Sequence, residues 1–248
     1  MGEWWLIPAF FVIALVYASV GQGGASGYLA VLSFLPFRHE QMTASALMLN
    51  VLVAGIAFFN YSRAGYFSPR LVIPFLASSS PFAFLGGVLP LSSKYYFLAL
   101  ALVLIYTGIR LLSNLSVQSE NHEFQPPSLP IALIAGGLIG FLSGTIGIGG
   151  GIFLSPLLIL FHWAGQKETA SASAFFILLN SIAGLLGRFG KGNIELISAS
   201  LIPLVLIAFC GGVFGSFVGA RYLSGKRLNA ALSIVLFVAA FKLLGKVL

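Results

Sequence analysis

Lys, Arg, Asp and Glu are confined to narrow stripes along this chain, and between the stripes lie eight runs without them: 4–37, 41–62, 71–93, 95–109, 124–166, 169–187, 196–220 and 228–241. Several exceed the roughly 20 residues that a helix needs to cross a bilayer. Lipid offers a backbone group no hydrogen-bond partner, so only helices or closed barrels satisfy a chain immersed in it. The runs are solidly apolar and lack the alternation of strands, which selects helices. The 248 residues are 58% hydrophobic and 8% charged, where an average soluble domain carries roughly 25% charge. No hydrophilic stretch is long enough to hide a soluble domain. The chain therefore reads as an all-α polytopic membrane protein whose first partner is the lipid bilayer.

The basic excess, 13 Lys and Arg against six Glu and no Asp, sits in short loops and forms no patch, which argues against nucleic acid. Alternate loops carry similar basic counts, Arg63, Arg70 and Arg110 against Arg38 and Lys94, so charge leaves the orientation open. Glu3 stands where a secretory signal has positive charge, and residues 4–20 read as a retained helix. Cys210 is the single cysteine, so no internal disulfide forms; inside an apolar run it reads as a buried packing residue. His162 beside Trp163 reads as an interfacial anchor, while His39 and His122 fall in loops. No cofactor or metal is expected.

The runs measure 34, 22, 23 and 15 residues and then 43, 19, 25 and 14, one pattern stated twice. Gly21-Gln22-Gly23-Gly24 corresponds to Gly147-Ile148-Gly149-Gly150, and Thr43-Ala44-Ser45-Ala46 to Thr169-Ala170-Ser171-Ala172, both at an offset of 126. Gly86-Gly87-Val88 matches Gly211-Gly212-Val213, and Arg110-Leu111-Leu112 matches Lys242-Leu243-Leu244. The expected organisation is a first transmembrane repeat over 1–112, a polar linker over 113–130 and a second repeat over 131–248. Internal repeats with substrate sites at their interface are common among secondary transporters.

Residues 131–161 as one straight helix would measure about 46 Å, against a hydrocarbon core of about 30 Å. The segment must break or fold back. Two pieces joined at the glycines give five segments per half and an inverted pair of repeats; a long kinked span gives four. The clusters at 21–24 and 147–151 do not form one helix face, so they read as unwound breaks, with helices resuming near Tyr28 and Leu154. A glycine-rich loop before a helix start exposes N–H donors and the positive end of the helix dipole, which suits an anion. Gly136, Gly140 and Gly144, like Gly211, Gly215 and Gly219, recur every four residues and read as close helix contacts. Such glycine faces also make a homodimer an expectation.

Candidate substrate contacts are Gly21, Gln22, Gly23 and Gly24 at the first break and Gly147, Ile148, Gly149, Gly150 and Gly151 at the second. Neutral groups on the following helices join them: Thr43, Ser45 and Asn50, with Thr169, Ser171, Ser173 and Asn180. For Thr43 and Thr169 helix capping is an equal reading, and for the others interhelical hydrogen bonding. Arg63 and Arg188 each follow the third segment of a half and are candidates for an anion-attracting vestibule, or interfacial anchors. All six glutamates lie at run ends or in the linker, so none is placed at membrane depth to carry protons.

Two copies of a Gly-x-Gly-Gly break, Pro156 after the second, a Thr-Ala-Ser-Ala helix and a late Gly-Gly-Val in each half together resemble the sulfite exporter TauE/SafE family. Gly147-Ile-Gly-Gly-Gly-Ile-Phe-Leu-Ser-Pro156 is the segment most similar to the family's second-half motif. The first half departs from it, with Gln22 and Ala25 in place of Ile148 and Gly151 and with Ala30 where the proline falls. The resemblance implies a bacterial-type inner-membrane permease for sulfite, sulfoacetate or other small sulfur-containing anions. An intramembrane enzyme would need a catalytic dyad or metal ligands inside the runs, which one cysteine, three histidines and no aspartate do not supply. A non-transporting assembly subunit is the remaining alternative.

Overall fold

The computed structural model describes residues 3–32, 34–35, 37, 39–89, 127–189 and 202–245, with scattered helical positions between 98 and 112. A short 3-10 turn, Glu3–Trp5, leads into α1 (Leu6–Ala18) and, after a break, α2 (Ala25–Leu32); α3 (His39–Arg63) and α4 (Pro69–Val88) follow. Beyond the middle of the chain come α5 (Leu129–Ile146), a second break, α6 (Gly151–Leu160), α7 (Gln166–Phe189), α8 (Ile202–Arg221) and α9 (Gly225–Leu244). Among the described residues there is no strand. Five helices, those at 40–63, 69–88, 129–146, 166–189 and 202–221, are long and apolar enough to cross a membrane, and α1 and α6 are shorter apolar helices. Large apolar side chains stand exposed along the outside, among them Ile134 and Leu138 on α5, Leu206 and Phe214 on α8 and Phe241 on α9. Water-soluble monomers rarely expose apolar surface on this scale, and a lipid surround accounts for it.

Two rows of glycine set how the helices pack. A Cβ on Gly136, Gly140 or Gly144 would overlap the carbonyl oxygens of Phe75, Ser79 and Ala83 in turn, so α5 lies backbone to backbone on α4. A Cβ on Gly211, Gly215 or Gly219 would overlap those of Phe11, Leu15 and Ser19, and α8 lies on α1 in the same way. Each row advances four residues on both helices, the spacing by which small residues bring helices into contact where lipid gives no hydrophobic drive to associate. Both glycine faces are thus occupied within the chain, which removes them as grounds for the expected homodimer. α3 and α7 pack on each other at the centre, with Leu47 and Ala44 against Leu185.

Several expectations need correction. The helices after the breaks begin at Ala25 and Gly151, three residues before Tyr28 and Leu154. Thr43 and Thr169 do not cap, because α3 and α7 begin earlier, at His39 and Gln166. Cys210 is exposed on α8, since an apolar run does not distinguish lipid-facing from inward-facing side chains. α5 already includes Leu129 and Pro130, the end of the expected linker, with the proline at the first helical positions, where its missing N–H is harmless. Linker residues 113–126 lie outside the described residues, as do Arg38, Lys94, Arg110 and His122.

Candidate functional site

The two breaks share left-handed glycines at two matching positions and differ at a third, where Gly149 has φ of 83° and Gly23 is not left-handed. Gly21 and Gly24 have φ of 72° and 96°, and Gly147 and Gly150, at the same offset of 126, have 80° and 82°. This left-handed region is open to glycine and strained for residues with a Cβ. Of these glycines, Gly147 is the C-cap of α5, its N–H donating to Ser143 O at 2.8 Å, while Gly21 closes a turn beyond the end of α1, its N–H donating to Ala18 O at 3.1 Å. In the second break the last one, Gly150, sits at the N-cap of α6. Space adds a second requirement at two positions, where a Cβ on Gly21 would overlap Ala170 O and one on Gly147 would overlap Thr43 Cγ2. Each break is thus seated against the first turns of the inner helix from the other half.

The breaks are also bonded to each other. Asn50, fully buried near the middle of α3, accepts the Ala25 N–H at 3.0 Å through Oδ1 and donates from Nδ2 to Ile148 O at 3.0 Å and to Ser181 Oγ at 3.4 Å. One amide therefore holds the start of α2 and the turn before α6. Gln22 reaches the other way: its Nε2 donates to Ser155 Oγ at 2.7 Å and to Gly151 O at 3.2 Å. Ser155 Oγ in turn shares a 2.7 Å hydrogen bond with Ser173 Oγ on α7. Buried polar groups in a membrane interior need such partners. The seam is built wholly of neutral donors and acceptors, able to exchange a protein partner for a ligand without stranding a charge.

The ends of the broken helices receive side chains as well. Tyr61 on α3 donates its hydroxyl to Ser19 O at the end of α1. Arg188 on α7 donates from Nη2 to Gly144 O at 2.9 Å and to Thr145 O at 3.3 Å at the end of α5. A cation at a helix C-terminus opposes the negative end of the dipole. Arg188 therefore belongs to the helix end rather than to open solvent, whereas Arg63 is exposed and lies over the Phe59 ring at 5.4 Å. Arg63 stands 13 positions beyond Asn50, about 20 Å along α3.

Of the residues singled out in the sequence, Gln22, Gly23, Asn50, Ile148, Gly149 and Gly151 meet at the seam, with a Cβ on Gly23 or Gly149 colliding with the Asn50 amide. Asn180 is bonded elsewhere, donating to Ser79 Oγ at 2.7 Å, with Ser80 Oγ 3.5 Å from its Oδ1. Ser45 is buried on α3, and Thr169 and Ser171 are buried on α7 with hydroxyls that have no partner among the described residues. Ser155, Ser181, Ser79 and Tyr61 carry hydrogen bonds that the sequence reading missed. A lone serine or tyrosine in an apolar helix gives no signal of its own; the signal here was that Gln22 and Asn50 at membrane depth require partners.

The model of the family described as sulfite exporter TauE/SafE matches residues 6–243. A probable membrane transporter protein of Sinorhizobium fredii is 39% identical over 96% of this chain and 97% of its own length. A probable membrane transporter protein of Methanocaldococcus jannaschii is 26% identical over 94% of this chain and 92% of its own. The sulfite exporter TauE/SafE family protein 6 of Arabidopsis thaliana is 26% identical over 71% of this chain and 43% of its own. No solved structure matches the chain. The match spans both breaks and nearly all of α1 to α9, and the chain belongs to the sulfite exporter TauE/SafE family of membrane transporters.

Proposed function

We propose that the chain is an inner-membrane permease that exports a small sulfur-containing anion, sulfite or an organosulfonate, along the seam between the breaks. The carrying observation is the meeting of two helix starts, α2 at Ala25 and α6 at Gly151, on one neutral polar cluster formed by Gln22, Asn50, Ser155, Ser173 and Ser181. Helix N-termini favour negative charge, and their loose N–H groups grip an oxyanion without a counter-charge. The anion enters by taking over the Gln22 amide from Ser155 and Gly151, which parts the breaks, and the seam closes behind it. The matched breaks, and the pairing of α1 with α8 and of α5 with α4, support two repeats related by inversion, each able to open toward one side.

The proposed driving force is the membrane potential. Among the described residues the acidic side chains of the long helices are Glu40 and Glu168, both in first turns, so no carboxylate lies along the seam to carry a proton. An inside-negative potential drives each negative charge outward with about 2.3 kcal/mol per 100 mV. Sulfite flux from proteoliposomes under an imposed potassium-diffusion potential tests the reading. Outward sulfite movement that grows with the potential supports it; folded protein that moves neither sulfite nor sulfoacetate defeats it and favours a non-transporting subunit.

A further inference from the structure

Two buried polar groups that the seam leaves unused meet in one recess. Thr169 Oγ1 and Asn229 Oδ1 have no hydrogen-bond partner among the described residues, their residues are 2% and 6% exposed, and both residues line a single recess whose other walls, Gln166 apart, are the apolar Val20, Ile159, Ala170, Leu228 and Leu232. The cavity volume is about 10 Å³, rising to about 210 Å³ when counted out through its mouth, so its inner end takes one oxygen-sized group. Val20 precedes Gly21, and Gly21 is seated on Ala170 O, so the recess adjoins the first break.

Its electrostatics favour negative charge. Gln166 and Thr169 lie in the first turn of α7, and Leu228 and Asn229 at the start of α9, so two helix N-termini border the recess. The first turn of α9 carries Lys226 and Arg227, both exposed, and no acidic residue. That placement opposes the helix dipole unless an anion sits nearby. The first turn of α7 carries Lys167, whose Nζ donates to Tyr66 OH at 3.3 Å, and Glu168. The Thr169 hydroxyl turns to donate, and rotating the Asn229 amide by half a turn presents Nδ2 in place of Oδ1. A cation would find neutral oxygens there but would face two positive helix ends.

We propose that this recess is a second anion site, taking one oxygen of a small oxyanion of the size of sulfite between Thr169 and Asn229. Its place beside the first break makes it an access station for the seam. That role rests on the transport reading above; the binding itself does not.

The test is equilibrium binding of radiolabelled sulfite to the full chain in detergent, with wild-type flux measured in parallel. Thr169→Val combined with Asn229→Leu removes both groups and is expected to weaken one binding component at least about tenfold, the scale of a lost hydrogen bond to an anion. Asn229→Asp keeps the shape and places a carboxylate in the recess, so it guards against a misfolded double variant and is expected to abolish the same component. Unchanged binding in a monodisperse form of either variant overturns the site, and water is then all the recess holds. A binding component lost in both variants, with no sulfite flux in wild type, upholds the site and defeats the transport reading alone.

Discussion

Gln22 Nε2 donates to Ser155 Oγ at 2.7 Å, joining the first glycine break to the helix that follows the second, across 133 positions of sequence. The same nitrogen also reaches Gly151 O at 3.2 Å. Together with Asn50, which holds both breaks from α3, it makes the two unwound segments one structural unit. A movement of either break is therefore felt by the other.

Replacing Gln22 with Ala removes this link while leaving Ser155 bonded to Ser173. The stability loss is expected to be about 1–3 kcal/mol, the net value of two neutral hydrogen bonds, read as a drop in the unfolding midpoint in detergent. Sulfite flux should also fall, about tenfold, because the amide also serves the substrate. A Gln22→Ala protein with full flux and an unchanged midpoint would falsify both roles.

The Gly147 position separates two sources of strain. Gly147→Ala forces a Cβ into the left-handed region at φ 80° and into Thr43 Cγ2. Thr43→Ser deletes that methyl and relieves only the second. Gly147→Ala is expected to lose about 1–2 kcal/mol in the Thr43→Ser background and more in the wild type, with a coupling above about 0.5 kcal/mol. A double-mutant cycle on unfolding midpoints reads the coupling; strict additivity would show that Thr43 does not seat the break.

Glycines outside the breaks divide by what they touch. A Cβ at Gly140 would enter the backbone of Ser79, whereas one at Gly55 meets only Leu178 Cδ1 at 3.7 Å. Gly140→Ala must push α5 off α4 and is expected to lose more than about 2 kcal/mol, the range of overpacked sites. Gly55→Ala is expected to be neutral or stabilising, since alanine is the better helix former by about 1 kcal/mol. Thermal unfolding followed by size-exclusion chromatography checks the pair, and equal behaviour of the two variants would rule out the close helix contact.

The helices were legible because charge marks where a chain leaves lipid, and that signal is local. The breaks were legible for a related reason, since glycines clustered off any single helix face have few other uses. What stayed hidden depends on distant partners. α2 starts at Ala25 because Asn50 Oδ1 receives its N–H from 25 positions away, and no reading of residues 21–28 contains that oxygen. Cys210 was misread because burial in the protein and burial in lipid leave the same apolar sequence. The role of Arg188 was ambiguous for the same reason: its carbonyl partners, Gly144 and Thr145, lie over 40 positions earlier.

Arg188 offers the sharpest division between structure and attraction of substrate. If it serves the end of α5, as its bonds to Gly144 O and Thr145 O indicate, Arg188→Met leaves two carbonyls without their donor. The expected loss is about 1.5–3 kcal/mol, the value of hydrogen bonds from a charged group. Arg188→Lys keeps the cation at the helix terminus but loses the planar guanidinium whose Nη2 reaches both carbonyls, and should recover part of that loss. Arg63→Ala, at an exposed position over Phe59, should change neither stability nor flux appreciably. Unfolding midpoints and flux at low and high ionic strength, measured on all three, distinguish the roles. Flux that falls in Arg188→Met without a lower midpoint, and that loses its salt dependence, would return Arg188 to the vestibule and leave the end of α5 without its cap.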